Sequence, residues 1–374
     1  MARWTRRLTL AALAGGALLL APALAQPQPE AWQAAQVSGW QGGEAPASVL
    51  QMRAMNPEWD FMSRTFLVLT LADQALADAS LADDHLAVMD AIIEDTIATE
   101  QARGSRHYLM SYADRAPFQG TGRSLFVDGE ILLMINSRRM VRDDRWQAEA
   151  GVWSGRVVEN FGSAGALPLA ESYPDEGWMF CHTLAMVGLR MSETLDGEDH
   201  SALRDSWLAA VRDRLIDPDT GMIVSEFDMR GRHHDGPEGS SIWLTAVGMR
   251  LLDPALAEQQ YGLARAALGR SVLGMGYAQE WPAGAERYMD IDSGPIVPVL
   301  DASASSSGFA IAASRAFGDD AWNQQLTRAL GAAEVTMAVI PPLAAAADNP
   351  VGQSVILWGL HFGPLWDAVG TPQT

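Results

Sequence analysis

The feature that most constrains this chain is a recurring pair of helix-length segments. The first is apolar on nearly every side; the second carries a single apolar stripe. "GEILLMINSRRM", "WMFCHTLAMVGLRM", "SSIWLTAVGMRLL", "SSSGFAIAASRAF" and "GQSVILWGLHFGPLW" are of the first kind, and "SALRDSWLAAVRDRL" is of the second. A helix apolar all round must be enclosed by protein, whereas a striped one keeps a face in water. The spacing predicts helices at 57–79 and 83–103, 123–143 and 145–161, 176–195 and 199–215, 239–252 and 255–271, 304–317 and 319–335, with a last one over 351–369. Six buried helices, most followed by an outer partner, predict an all-α fold. Its expected form is an (α/α)6 barrel with a few short strands in the loops at its mouth. Asp253 in "RLLDPALAEQQY" suits the cap of an outer helix, and Pro254 suits its first position. An open solenoid would call for a fixed repeat period, and the sequence has none.

The beginning of the chain, "MARWTRRLTLAALAGGALLLAPALAQ", places Arg3, Arg6 and Arg7 before an apolar run that ends in Ala23-Leu24-Ala25. A basic start, an apolar run and a small-residue site read as a secretory signal over 1–25, which implies a secreted or periplasmic protein. An uncleaved anchor is the alternative, since the run is just long enough to span a bilayer. No other segment is expected to cross a membrane. Residues 26–56, rich in Gln, Ala, Gly and Pro, read as an N-terminal arm or linker. Residues 57–374 read as one catalytic domain. The single cysteine, Cys181, rules out an intrachain disulfide, so a large core must supply the stability of an exported chain.

The charge is strongly acidic, with 46 Asp and Glu against 26 basic residues, all of them arginine. Without lysine there is no Schiff-base amine, no pyridoxal anchor and no P-loop lysine. A formal net charge of −20 argues against polyanion partners, nucleic acid included.

Four loops lead into buried helices: "SLFVDGE", "SYPDEGW", "RGRHHDGPEGSS" and "MDIDSGPIVPVLDASASSS". In a barrel they gather at one mouth, where helix N-termini direct free N–H groups and the positive dipole end. That mouth collects Asp128, Glu130, Asp175, Glu176, His233, His234, Asp235, Glu238, Asp290 and Asp292. Any one acid could simply cap its helix; four such loops together point to a site on a rigid scaffold. Cys181 falls in the second turn of its helix, where the dipole favours a thiolate while Asp175 and Glu176 favour a neutral S–H. An inert buried thiol is the alternative. Cys181, Ala185 and Gly188 form a stripe of small side chains that lets a backbone or a ligand approach, with Trp178 at its mouth end.

No metal centre and no cofactor are expected. His233 and His234 are adjacent and diverge, and one cysteine cannot build a structural zinc site. "MDIDSG" lacks the rest of a calcium loop, and neither a G-x-S-x-G elbow nor a dinucleotide fingerprint occurs. Paired carboxylates are the strongest generic signal, for instance Glu130 with Glu238 or Asp292, as glycoside chemistry requires. The 13 tryptophans offer faces for sugar rings. From residues alone, a carbohydrate enzyme comes first.

Residues 172–271 resemble the linalool dehydratase-isomerase family. The matching residues are Pro174-Asp175 and Cys181 in "YPDEGWMFCHTLA", then "WLAAVRDRLIDPDTG" and "SSIWLTAVGMRLLDPALAEQQY". Weaker similarity covers "LFVDGEILLM", "SSGFAIAASRAFGDD" and the last helix. The resemblance implies an (α/α)6 barrel and cofactor-free acid–base chemistry: reversible loss of water from a tertiary allylic terpene alcohol, and isomerisation of its allylic partner. It also implies a homo-oligomeric ring in which a neighbour completes each active site. The chain departs from the family in having Ser172 in place of a second active-site cysteine and Glu130 in place of a histidine. Residues 26–56 contain neither Asp nor Tyr to match the family's N-terminal pair.

These readings combine into an expected site. Glu130 or Glu238 is the general acid toward a leaving hydroxyl, and Asp175 or Asp292 takes the proton. Cys181 and Tyr173 position the leaving group and the developing charge. Glu176, Trp178, His182, His233, His234 and Trp281 line the place of a small-molecule substrate. Two other functions fit the sequence: a carbohydrate hydrolase, lyase or epimerase with Trp178 and Trp281 stacked on sugar, and a non-catalytic exported binding protein.

Overall fold

The computed structural model describes residues 29–285, 296–297, 300–339 and 349–370, and within 334–339 the backbone alone. The leader at 1–25 and the candidates Asp290 and Asp292 lie outside them. The described chain is mostly helical, with a few short strands. Six helices are buried along nearly their whole length: α3 (Pro57–Ala77), α5 (Leu125–Val141), α7 (Met179–Asp196), α9 (Gly239–Leu252), α11 (Ala304–Ala316) and α13 (Pro350–His361). They pack in a closed cycle: α3 on α5, α5 on α7, α7 on α9, α9 on α11, α11 on α13, and α13 back on α3. Between them in sequence come the striped helices α4 (Ala82–Arg103), α6 (Gln147–Asn160), α8 (Ser201–Arg214), α10 (Pro254–Leu268) and α12 (Asp320–Val339). The expected helix ranges match these to within a few residues.

Local chemistry sets the helix starts. Asn56 Oδ1 accepts from the Glu58 N–H at 2.8 Å with Pro57 next to it, and Asp253 Oδ1 accepts from the Leu256 N–H at 3.1 Å with Pro254 next to it. A side-chain oxygen here satisfies an N–H that the helix leaves free, and proline occupies a position where no N–H is needed. The α5–α7 seam depends on small residues. A Cβ on Gly129 would lie 2.7 Å from the Ala185 Cβ, so the two backbones approach as closely as glycine allows. The Cys181–Ala185–Gly188 stripe is therefore largely a packing seam. Trp40, Trp207, Trp243, Trp322 and Trp358 are among the largest fully buried side chains. Burying such a side chain stabilises the fold by about 1.5–3 kcal/mol. Much of the tryptophan that suggested sugar-binding walls is core.

The two ends of the cycle differ. The inner helices finish against α14 (Pro364–Gly370), which touches α3, α5, α7 and α9. The Trp366 Nε1–H donates to the Val247 carbonyl at 3.1 Å, and Asp73 Oδ1 accepts from the Gly363 and Leu365 N–H groups at 3.2 and 2.8 Å. Here the single expected helix over 351–369 is instead two, because Gly363 at φ 142° and Pro364 interrupt it after His361. The other end holds the loops and the strands. β1 (Gly177–Trp178), β2 (Glu226–Phe227) and β3 (His233–Asp235) form one antiparallel sheet. β4 (Gly269–Val272) and β5 (Met275–Gln279) form a hairpin that continues through β7 (Ala302–Ser303) to β6 (Ile296–Val297). Leu273 and Gly274, both at positive φ, make its two-residue turn, and the start of β4 at Gly269 ends α10 three residues before the expected 271.

The segment 26–56, expected as an N-terminal arm or linker, is helical in its described part. Residues 29–55 hold two helices, α1 (Pro29–Trp40) and α2 (Ala47–Met55). α1 packs on α13 and α4, and α2 packs on α3 and α13. Trp40, Val49 and Met52 are buried and anchor a segment whose overall composition reads as loose. Among the described residues no helix is long and apolar enough to cross a membrane.

Candidate active site

At the open end the loop before α7 is folded by a tight turn. The Glu176 N–H donates to the Tyr173 carbonyl at 2.9 Å, with Pro174 second and Asp175 third at φ 66°. Proline at the second position and a left-handed residue at the third define a type II turn, and Asp tolerates that conformation. This geometry sends Asp175 outward. It is exposed and hydrogen-bonded by Gln119, while Glu171 takes its N–H at 2.8 Å. Asp175, expected from the sequence as a proton acceptor, is thus placed as an exposed turn residue. Tyr173 and Ser172, on the other side of the turn, are buried.

Glu130 sits in the second turn of α5, only 1 % exposed. The Thr65 hydroxyl of α3 donates to its Oε2, and Oε1 has no hydrogen-bond partner among the described residues. Burial drives its pKa up to about 8 against the small opposing effect of Thr65. Taking a carboxylate out of water costs more than one hydroxyl returns, so the neutral acid persists at pH 7. Since Oε2 is an acceptor, the proton belongs on Oε1.

Cys181 of α7 borders Glu130. Burial raises its thiol well above the usual range, a hydrogen bond with the Ser172 side chain opposes this, and Glu130 and Glu58 push it further up where they are ionised. The thiol is neutral, as expected for a cysteine facing carboxyl groups. Glu58, in the first turn of α3, receives the phenolic proton of Tyr173. The Tyr173 oxygen in turn accepts from the Met110 N–H at 2.7 Å. Tyr112 stacks on Tyr173 with ring centroids 4.6 Å apart, and its hydroxyl donates to Glu176 Oε2 at 3.3 Å. Glu176 also pairs with Arg115. Glu176 therefore holds the 111–115 turn over Tyr173. Burial raises Tyr173 far above the ordinary phenol range, and Glu58 adds to the rise.

Aromatic rings from four inner helices meet inside the cycle. Phe66 of α3 meets Phe180 of α7 at 6.3 Å, Phe309 of α11 at 5.4 Å and Trp358 of α13 at 5.3 Å. Phe180 and Phe309 are 5.7 Å apart. α3, α7 and α11 are not neighbours in the cycle, so these contacts span its interior. Phe180 and Trp178 are only half-buried, and the Trp178 Nε1–H has no partner among the described residues.

The remaining candidates go elsewhere. His182 is fully buried, its Nδ1–H donating to the Trp178 carbonyl at 2.9 Å and its Nε2 accepting from the Ala170 N–H at 3.0 Å. Both nitrogens are used, the Phe161 and Phe227 rings enclose it, and burial lowers its pKa to about 4. It is a neutral structural side chain, which corrects its expected place at a substrate. His233 is exposed and tied to the Arg214 carbonyl at 2.7 Å. His234, Glu238 and Trp281 do come together, lining a cleft of about 340 Å³ with Asp217, Asp219 and Asp235. The Trp281 Nε1–H donates to Glu238 Oε1 at 3.4 Å. Asp128 turns to Arg123 and Asn160 at 3.1 and 2.8 Å, and burial raises it to about 6.

The structure thus brings together Glu130, Cys181 and Tyr173 of the expected set and adds Glu58, Thr65 and Ser172. Glu58 passed as an ordinary first-turn acid of a helix. The available signal was its spacing: Glu58 and Thr65 are seven residues apart, so they share a face of an inner helix. Among the described residues no cluster of histidine, cysteine and carboxylate groups is suited to hold a metal ion. No model of a known protein family matches the chain, and no curated protein matches it.

Proposed function

We propose that this protein is a cofactor-independent acid–base enzyme that removes water from, or isomerises, an apolar alcohol. The observation that carries the reading is Glu130: a buried acid, neutral at pH 7, whose Oε1 is left without a partner. A carboxylic acid kept protonated above its usual range can donate to a leaving hydroxyl, and such a positioned donor is worth about 10²–10⁴ in rate. The neutral Cys181 thiol and Ser172 hydroxyl are suited to hold the departing oxygen. The Phe66, Phe180 and Phe309 rings suit a hydrocarbon frame and keep water away from developing cationic charge. We further propose that the closed cycle of inner helices is an (α/α)6 barrel and that the resemblance to linalool dehydratase-isomerases reflects shared descent. The leader, export to the periplasm or beyond, and a ring of subunits complete this proposal.

The test is turnover. The purified chain, offered a panel of tertiary and allylic alcohols, should release volatile alkenes or allylic isomers into the headspace, and Glu130→Gln should abolish this. Product formation that Glu130→Gln leaves within about threefold would remove Glu130 from the mechanism.

One observation favours a second reading. Trp281 beside Glu238 in an acidic cleft suits a carbohydrate ring better than an alkenol. A ligand at one hundred times its dissociation constant stabilises by about 2.7 kcal/mol, readily visible in a melting curve. Stabilisation by oligosaccharides alone, sensitive to Trp281→Ala, would move the activity to that cleft.

A further inference from the structure

We propose that Glu58 is the proton acceptor of this site, the ionised partner of the neutral acid Glu130. The proposal rests on the acid–base reading above and assigns the half of it that the sequence placed at Asp175 or Asp292.

The directions of the hydrogen bonds carry the assignment. The Met110 N–H can only donate, and it donates to the Tyr173 oxygen at 2.7 Å. The phenol has one proton, and that proton is directed at Glu58 Oε1. Glu58 therefore acts as acceptor, and a charge-assisted bond of this kind favours the carboxylate. Its position adds to this. Glu58 lies in the first turn of a 21-residue helix, where the dipole stabilises negative charge. Glu130 has none of this support: it lies deeper along α5, receives a single hydroxyl, and is fully enclosed. Both carboxyl groups act electrostatically on the one thiol, Cys181, from α3 and α5. Two acids of one site held in opposite environments divide the roles of acid and base.

The step balances. As the C–O bond breaks, the Glu130 Oε1 proton goes to the leaving oxygen and water departs. Glu58 takes a proton from the neighbouring carbon, and the electron pair of that C–H bond becomes the second bond of the alkene. One proton leaves Glu130 and one arrives on Glu58. Hydration runs the same transfers backward. Tyr173 is a positioning residue, holding the Glu58 carboxylate in place.

Cys181 gives a readout that does not depend on finding the substrate. It is the chain's only cysteine, and a thiol near a carboxylate ionises less readily. Iodoacetamide labelling of the intact protein at pH 6.5–7, followed by mass, reports the charges around it. Among the described residues, the titratable groups that act on it or on its partners include Glu58 of α3, Glu130 of α5, Tyr173, and beyond it Tyr112 with Glu176 and Arg115. Glu58→Gln should label several-fold faster, and Glu58→Asp, which keeps the charge in a smaller side chain, at the wild-type rate. Glu130→Gln should label at close to the wild-type rate, because the acid it replaces is already neutral. On any alcohol the wild type turns over, Glu58→Gln should lose at least about 100-fold, with partial recovery in Glu58→Asp. Faster labelling in Glu130→Gln alone would reverse the two roles. Equal acceleration in Glu58→Asp and Glu58→Gln would mean altered access, and would overturn the assignment of charge. A wild type inert toward every apolar alcohol would overturn the function proposed above and Glu58's catalytic role with it. Turnover that survives Glu58→Gln would overturn the catalytic role alone.

Discussion

Two buried carboxyl groups stand at opposite ends of the same cycle of helices, and their contrast is informative. Asp73, at the closed end, spends Oδ1 on two backbone N–H groups that begin α14. Glu130, at the open end, receives only the Thr65 hydroxyl and faces a thiol. Each keeps one oxygen without a partner, and burial raises both, Asp73 to about 7 and Glu130 to about 8. A raised acid by itself does not mark a reactive site. What distinguishes Glu130 is the company it keeps: a hydroxyl and a thiol that can hold a proton, and not backbone that must stay put.

The largest expected difference between the two ends is in rate. Glu130→Gln should lower turnover by about 10²–10⁴, which is roughly 3–5 kcal/mol of transition-state stabilisation, while leaving the fold intact. Asp73→Asn should leave turnover within about threefold, as measured in the same headspace assay. If both substitutions abolish activity equally, the contrast between the ends is wrong.

The next effect is on stability. Asp73→Ala leaves the Gly363 and Leu365 N–H groups without their acceptor in a buried place, at a cost of about 1–3 kcal/mol by chemical denaturation. Gly129→Ala should cost a similar amount, about 1–3 kcal/mol, because the seam against Ala185 has no room for a methyl group. Circular dichroism of both variants would show whether closing the base and closing the seam matter alike.

A smaller effect depends on pH. An acid whose folded pKa exceeds its unfolded value contributes stability that is complete below the unfolded pKa and lost as pH rises through the folded one. For Glu130 the window runs from about 4.5 to about 8, and for Asp73 from about 3.8 to about 7. His182 works in the opposite sense. Its folded pKa is lowered to about 4, so its contribution is present above 6.5 and lost as pH falls toward 4. Above pH 6.5 the acids act without this opposition. Stability should fall between pH 6.5 and 8, with about 1–2 kcal/mol of the loss due to Glu130. Glu130→Gln should flatten that part of the curve, and a curve unchanged by the substitution would mean that Glu130 is already ionised.

The smallest effect belongs to Asp175. It is exposed in a turn, so Asp175→Asn should change stability by less than about 0.5 kcal/mol and turnover by less than about threefold. A large loss of rate would restore it as the proton acceptor in place of Glu58.

The fold was more legible than the site, for a physical reason. Helix-period patterning and capping residues act over a few positions, and both Asp253-Pro254 and the all-apolar inner segments announce themselves locally. The α1 and α2 helices did not, because Trp40, Val49 and Met52 are their few buried apolar side chains and their composition is otherwise that of a linker. The role of an acid depends on distant partners. Pro174-Asp175 marks a turn but does not say on which side the acid will lie, and nothing near Glu58 says that Tyr173, 115 residues on, will direct a proton to it. His182 looked reactive beside Cys181, yet a helix places adjacent residues on different faces, and its own face meets Phe161 and Phe227.

The most direct measurement is the titration of the Glu130 carboxyl carbon by NMR, assigned by its loss in Glu130→Gln. The account expects one glutamate carboxyl to remain protonated through neutrality and to titrate at about pH 8. A Glu130 carbon that titrates in the ordinary carboxylate range, with every acid of the mouth ionised at pH 7, would contradict it.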